Sequence, residues 1–152
     1  MDVPIYFFSR TGNSKKVAFL LAKKLKTEPK EIQSYKFPYF LWLILSFIPF
    51  LPVKSNFPEV KAEEIILCFP KWTFNCPPIT YFLIKCPCKR LTMIITYKGW
   101  GKNHYEKFYK FLCLILRKQV KIHFINIKKG SHGRRSQRLQ QILHILSCQS
   151  TF

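Results

Sequence analysis

Apolar positions along this chain fall into short unbroken runs, separated by stretches in which they recur with helical period. Val3 to Phe8 is one such run, the pattern of a strand buried on both faces. From Lys15 to Lys26 the period changes. Val17, Leu20, Leu21 and Leu25 form one stripe at i, i+3, i+4 and i+8, with Lys15, Lys16, Lys23 and Lys24 outside it. The same reading predicts further strands over Glu31 to Phe37, Glu64 to Phe69, Leu91 to Tyr97 and Val120 to Ile127. It predicts helices from Pro77 to Lys85, where proline suits a first turn, and from Asn103 to Arg117. A last helix from Gly133 to Leu146 places Leu139, Ile142, Leu143 and Leu146 on one side. Strands alternating with helices imply a three-layer, doubly wound α/β domain with a five-stranded parallel sheet.

One segment breaks the alternation. Residues 37–56 form an insertion between the second and third strands, and Phe37 to Val53 is nearly all apolar and cut by Pro38, Pro49 and Pro52. Ten residues between Pro38 and Pro49, at ~1.5 Å each, cover about half of a ~30 Å hydrocarbon core, so the segment cannot span a membrane. It is read as packing on the sheet or as a self-association surface ahead of a peripheral membrane contact. Lys36 and Lys54 flank it, and Tyr39 and Trp42 suit an interface.

The first strand runs into Ser9-Arg10-Thr11-Gly12-Asn13-Ser14 and then directly into a helix. A helix N-terminus presents amides without intrahelical partners at the positive end of its dipole, and neighbouring hydroxyls can add donors. Glycine allows close backbone approach. This is an anion site, and a phosphate is the expected anion. The turn is neither a G-x-x-x-x-G-K-[ST] loop for triphosphates nor a G-x-G-x-x-G dinucleotide turn.

The hydroxyl-rich S-x-T-G-N-S string instead resembles the phosphate loop of the flavodoxin family, which holds the phosphate of FMN. Two later loops strengthen the resemblance: Phe69-Pro70-Lys71-Trp72-Thr73-Phe74-Asn75 after the third strand, and Thr96-Tyr97-Lys98-Gly99-Trp100-Gly101 after the fourth. The resemblance implies a single flavodoxin-like domain over residues 1–152 with strand order 2-1-3-4-5 and a site beside the first strand. It implies that Ser9, Thr11, Gly12, Asn13 and Ser14 surround the phosphate, with Arg10 turned outward. Pro70, Trp72, Thr73, Phe74 and Asn75 would line the ring, Trp72 and Phe74 covering one face and Asn75 adding a hydrogen bond. Tyr97 and Trp100 would cover the other face, while Gly99 and Gly101 let backbone amides reach the ring's polar edge.

Composition narrows the partners and the chemistry. Lys and Arg number 26 against seven acids, a formal net charge of +19. Lys71 and Lys98 stand in the two ring loops, and positive charge there should raise the potential of the anionic, fully reduced flavin. Acidic redox partners such as a ferredoxin-like protein are expected, in preference to nucleic acid. A lone aspartate, Asp2, argues against paired-carboxylate hydrolysis, and single histidines without H-E-x-x-H argue against a zinc centre. The six cysteines include no C-x-x-C pair, and Cys86-Pro87-Cys88 is too tight for ordinary disulfide geometry. Free thiols and the lack of a secretory leader point to the cytoplasm. An electron carrier is the first reading. An NAD(P)H-dependent flavin or quinone reductase on the same fold is the second, and a flavin-free basic binding or membrane-surface protein the third.

Overall fold

The computed structural model describes residues 3–99, 101–127 and 134–147. In chain order the elements are β1 (Ile5–Phe7), α1 (Asn13–Leu25), β2 (Pro29–Glu31), β3 (Gln33–Ser34), α2 (Tyr39–Ser46), β4 (Ser55–Asn56), β5 (Glu64–Pro70), α3 (Pro77–Lys85), β6 (Arg90–Tyr97), α4 (Lys102–Ile115), β7 (Gln119–Asn126) and α5 (Arg134–Ser147). Five strands make a parallel sheet in the order β2-β1-β5-β6-β7, which is the flavodoxin-like 2-1-3-4-5 arrangement. Register is fixed through the centre, with Ile5 opposite Ile66 and Ile66 opposite Thr92.

Strand alternation assigns each apolar side chain to one of two cores. Ile65, Leu67 and Phe69 of β5 join Ile79, Phe82 and Leu83 of α3 and Tyr105, Tyr109 and Leu112 of α4. Ile66 and Cys68, one residue out of phase, join Val17, Ala18 and Leu21 of α1 and Ile142 and Ile145 of α5. A continuous apolar run is therefore what a sheet covered on both faces requires. Because all five strands run the same way, the loops after β1, β5 and β6 emerge together at the carboxyl end. The chain order reverses beside β1, which opens a crevice there.

Several boundaries differ from the sequence reading. The second strand is Pro29–Glu31, not Glu31–Phe37. After Ile32 donates its amide to Phe7, the chain leaves the sheet, and Gln33–Ser34 pairs antiparallel with Ser55–Asn56 at the base of the insertion. Tyr35 and Phe37, the residues that made the run look like strand, stack on each other and lead to Trp42 instead. On α1 the buried stripe is Ser14, Val17, Ala18, Leu21 and Ala22, and Leu20 is exposed. Two alanines let the helix approach the sheet closely, which shifts the inward face away from Leu20. On α5, Ile142 and Ile145 face the core while Leu143 is exposed.

One reading of the insertion, packing on the sheet as a core helix, is corrected as well. Within α2 only Trp42 and Ser46 are buried, so the segment does not fill the place of a core helix. Cys68, Cys76, Cys86, Cys88 and Cys113 are buried free thiols. Burial pushes the Cys113 thiol pKa up to about 12 and those of Cys68 and Cys76 higher still, so none of these three is a ready nucleophile. Cys148 lies outside the described residues.

Candidate functional site

The turn after β1 is closed by its own groups. Gly12 lies at φ 86°, a backbone region that residues with a Cβ rarely adopt, and donates its amide to Ser9 Oγ at 3.0 Å. Its carbonyl accepts from Lys16, starting α1. No side chain caps the first turn, and no acid lies in it. The amides at this end are thus directed at whatever anion approaches, and the helix dipole favours one. A Cβ built on Gly12 would meet nothing within 4 Å, so the space above the turn is open. Ser9 keeps its own hydroxyl proton to donate. Exposed Thr11 does too, its oxygen accepting from Asn13 Nδ2 at 3.1 Å.

Ser14 behaves differently from its expected role. It is buried, and its hydroxyl pairs with that of Thr96 at 2.7 Å, tying the start of α1 to the end of β6. Its side chain braces the turn, and only its backbone amide belongs to the anion site. Arg10 is exposed, as expected, but is not idle. Its guanidinium carbon sits 4.9 Å from the centre of the Tyr39 ring, which brings α2 over the mouth of the turn.

The loop after β5 is held from below by two buried tyrosines of α4. Tyr105 Oη accepts the Trp72 amide at 3.4 Å and Tyr109 Oη accepts the Cys76 amide at 3.1 Å. Burial raises both phenol pKa values, so both stay neutral. Pro70 ends β5 opposite Thr96, and the Lys71 amide donates to Thr96 O at 2.7 Å. Trp72 is half-buried, with Phe8 against it edge-on at 5.6 Å and Trp42 tilted against it at 5.4 Å. Thr73 Oγ1 accepts from Ser46 Oγ.

Phe74 and Asn75 leave the expected set. Phe74 is exposed and rests on Phe47. Asn75 is fully buried, donates to the carbonyls of Ile48 and Leu51 at 3.3 and 2.9 Å, and accepts from Thr80. Both of its N–H bonds are used in holding the insertion, so none remains for a ligand.

In the loop after β6, Gly99 and Gly101 both have positive φ, and Gly101 begins α4 without a side-chain cap. Tyr97 packs edge-on against Phe124 of β7 at 5.8 Å. Trp100 lies outside the described residues. A Cβ on Gly101 would lie 3.5 Å from Lys71 Nζ, so the loops after β5 and β6 meet at this lysine. Lys71 is half-buried, donates to the Trp72 carbonyl at 3.3 Å and lies over the Tyr105 ring at 5.5 Å. Desolvation lowers its pKa, a penalty on the cation that a neighbouring anion would relieve.

Between these loops is a cavity of about 200 Å³ lined by Arg10, Tyr39, Trp42, Leu43, Ser46, Lys71, Trp72 and Thr73. Four of these come from α2, at i, i+3, i+4 and i+7, and sequence reasoning did not place them in the site. Their spacing was the available signal, since Tyr39, Trp42, Leu43 and Ser46 share one helical face. An uncapped, acid-free helix start thus lies beside an aromatic, partly cationic slot, an arrangement suited to an anion. At about 200 Å³ the slot is below the ~300 Å³ of pockets that enclose a whole ligand, so it suits one end of a ring system.

No family model matches the chain. A protein of Archaeoglobus fulgidus, described only as "Uncharacterized protein", is 49% identical over 111 residues, spanning 72% of this chain and 75% of that one. Three solved structures share the fold at low identity. A Bacteroides uniformis chain provisionally described as a flavoprotein superposes with a TM-score of 0.71 at 17% identity, covering 91% of this chain and 97% of its own. A flavoprotein in complex with FMN from Lactobacillus acidophilus gives 0.61 at 15%, covering 82% and 91%. A Streptococcus pneumonia flavodoxin gives 0.54 at 13%, covering 97% and 98%. The chain belongs to the same family as the Archaeoglobus fulgidus protein and is built on the flavodoxin-like fold.

Proposed function

We propose that the chain binds FMN and carries electrons through it. The observation that carries this reading is the uncapped, acid-free start of α1 behind Gly12, set at the reversal point of the sheet beside an aromatic slot. The residues present fit the group. First-turn amides of α1 with the hydroxyls of Ser9 and Thr11 would hold the phosphate, while Trp72, Trp42 and Tyr39 offer apolar wall to the ring. Gly101, which packs against Lys71, would let the loop after β6 share the ring's polar edge with that lysine. The flavin, when bound, takes up and releases electrons; the chain's own work is to orient it, shield it and set its charge environment. A neighbouring solved structure containing FMN supports the choice of flavin.

The carrier is favoured over an NAD(P)H-dependent reductase. A nicotinamide must lie against the flavin ring, and here α2 occupies one side of the slot through Trp42 and Tyr39. Purified protein loaded with FMN is expected to show no steady-state oxidation of NADH or NADPH; turnover would move the assignment to a reductase. Titration with FMN followed by calorimetry should saturate at one equivalent per chain, with riboflavin binding more weakly, and a flat titration refutes the proposal.

Lys71 gives a further expected result. Replacing it by Met removes the half-buried cation of the slot and should lower the potential of the anionic, fully reduced flavin. The loss of about 1.4 kcal/mol of Coulomb stabilisation is about 60 mV for one electron. Spectroelectrochemical titration of the two proteins checks it, and an unchanged or raised potential in Lys71→Met contradicts the role.

A further inference from the structure

The insertion carries an apolar surface that the fold does not cover. On α2 the cavity-facing stripe is Tyr39, Trp42, Leu43 and Ser46, Phe40 and Ile44 stand on the other side at i and i+4, and Phe47 and Ile48 follow in the turn after the helix. Phe40 is 70% exposed, Ile44 44%, Phe47 52% and Ile48 47%. Phe50 extends the patch to Phe111 on α4, with ring centres 5.9 Å apart, and Leu114 and Ile115 of the same helix are also exposed. A helix apolar on all sides is expected to lie inside an apolar medium, and the chain supplies that on one side only.

From the structure we infer that α2 and the turn after it dock on an anionic lipid surface. Charge chooses this occupant. No carboxylate occurs between residues 32 and 58, and exposed Lys36 and Lys54 flank the apolar segment in sequence. A second copy would set one chain of net charge +19 against another, whereas anionic headgroups oppose the positive charge. The shape agrees. The patch is a ridge of exposed side chains on α2 and the turn after it, and a fluid bilayer needs no matching groove to cover it. Eight helical residues, about 12 Å long, would lie in the interface plane, and among the described residues no helix is long and apolar enough to cross. The inference rests on the exposed face of α2, not on FMN.

Cosedimentation of the full chain with vesicles tests it, using zwitterionic phospholipid alone and mixed with anionic phospholipid. Expected is binding to the anionic vesicles, weakened by salt, with little to the zwitterionic ones. The double variant Phe40→Ser/Ile44→Ser, outside the cavity lining, should reduce binding at least about tenfold, and Lys36→Glu/Lys54→Glu should weaken it by a similar factor. Circular dichroism and thermal melting of each variant establish that the fold is retained. The inference is overturned if wild-type protein stays in the supernatant, or if folded variants bind like wild type. It is also overturned if sedimentation velocity reveals a dimer that Phe40→Ser/Ile44→Ser dissociates, since the ridge would then belong to a second copy.

Discussion

Thr11→Asp is expected to weaken FMN binding by about 100-fold while leaving riboflavin binding and the melting temperature nearly unchanged. Thr11 is exposed at the mouth of the turn, and its hydroxyl receives a single hydrogen bond, from Asn13. An aspartate there is compatible with the fold, because a carboxylate near a helix N-terminus is itself favourable. It would, however, face a phosphate carrying up to two negative charges within the same few ångströms. At the effective dielectric of a partly exposed site, repulsion of about 3 kcal/mol is reasonable, which is about two orders of magnitude in affinity. Riboflavin lacks the phosphate and does not meet this repulsion. Parallel fluorescence titrations with the two flavins separate the effects. Equal weakening of both would mean that the substitution disturbed the ring slot or the fold, and unchanged FMN affinity would remove the phosphate from this turn.

Asn75→Leu is expected to cost about 3 kcal/mol of stability. Asn75 is buried at the start of α3, and its amide holds the Ile48 and Leu51 carbonyls while its oxygen accepts from Thr80. Leucine has the same branched skeleton but is bulkier and carries none of these groups, so two carbonyls lose their partner inside the protein. For a chain of this size the melting temperature should fall by roughly 6–12 °C. The backbone also contributes, since the amides of Phe74 and Asn75 both donate to Ser46 O at 3.1 Å, and the variant tests how far the side chain secures the insertion beyond that. Phe74→Ala, one residue earlier but exposed, should move the melting temperature much less. A shift below about 2 °C for Asn75→Leu would show that the insertion is held by its backbone contacts alone.

The strands over residues 64–70 and 90–97 were legible because a sheet covered on both faces needs largely apolar sequence, and the strand over 119–126 was legible from its partial alternation of apolar and polar residues. The turn proposed to hold the phosphate was legible as a turn for a local reason. Its glycine, its hydroxyls and the helix that follows are contiguous in the chain. What the sequence concealed was non-local. Glu31–Phe37 reads as a strand by composition, yet Tyr35 and Phe37 are drawn off to Trp42, and the strand ends at Glu31. Asn75 and Ser14 carry the right chemistry for a ligand, but their groups are consumed by Ile48, Leu51, Thr80 and Thr96, partners distant in sequence or in another element. Likewise, nothing local says that Trp42 should press on Trp72, 30 positions later, and make α2 part of the wall. The helical stripe of Tyr39, Trp42, Leu43 and Ser46 announced a face; only the fold says what it faces.

Flavin occupancy of the chain as it comes from cells is the most direct check. Protein purified without added cofactor, or supplied with one equivalent of FMN and desalted, is expected to be yellow, with a flavin absorption band that bleaches on chemical reduction and returns in air. A colourless preparation that gains no visible absorbance after exposure to excess FMN would contradict the reading at its root, whatever the fold resembles.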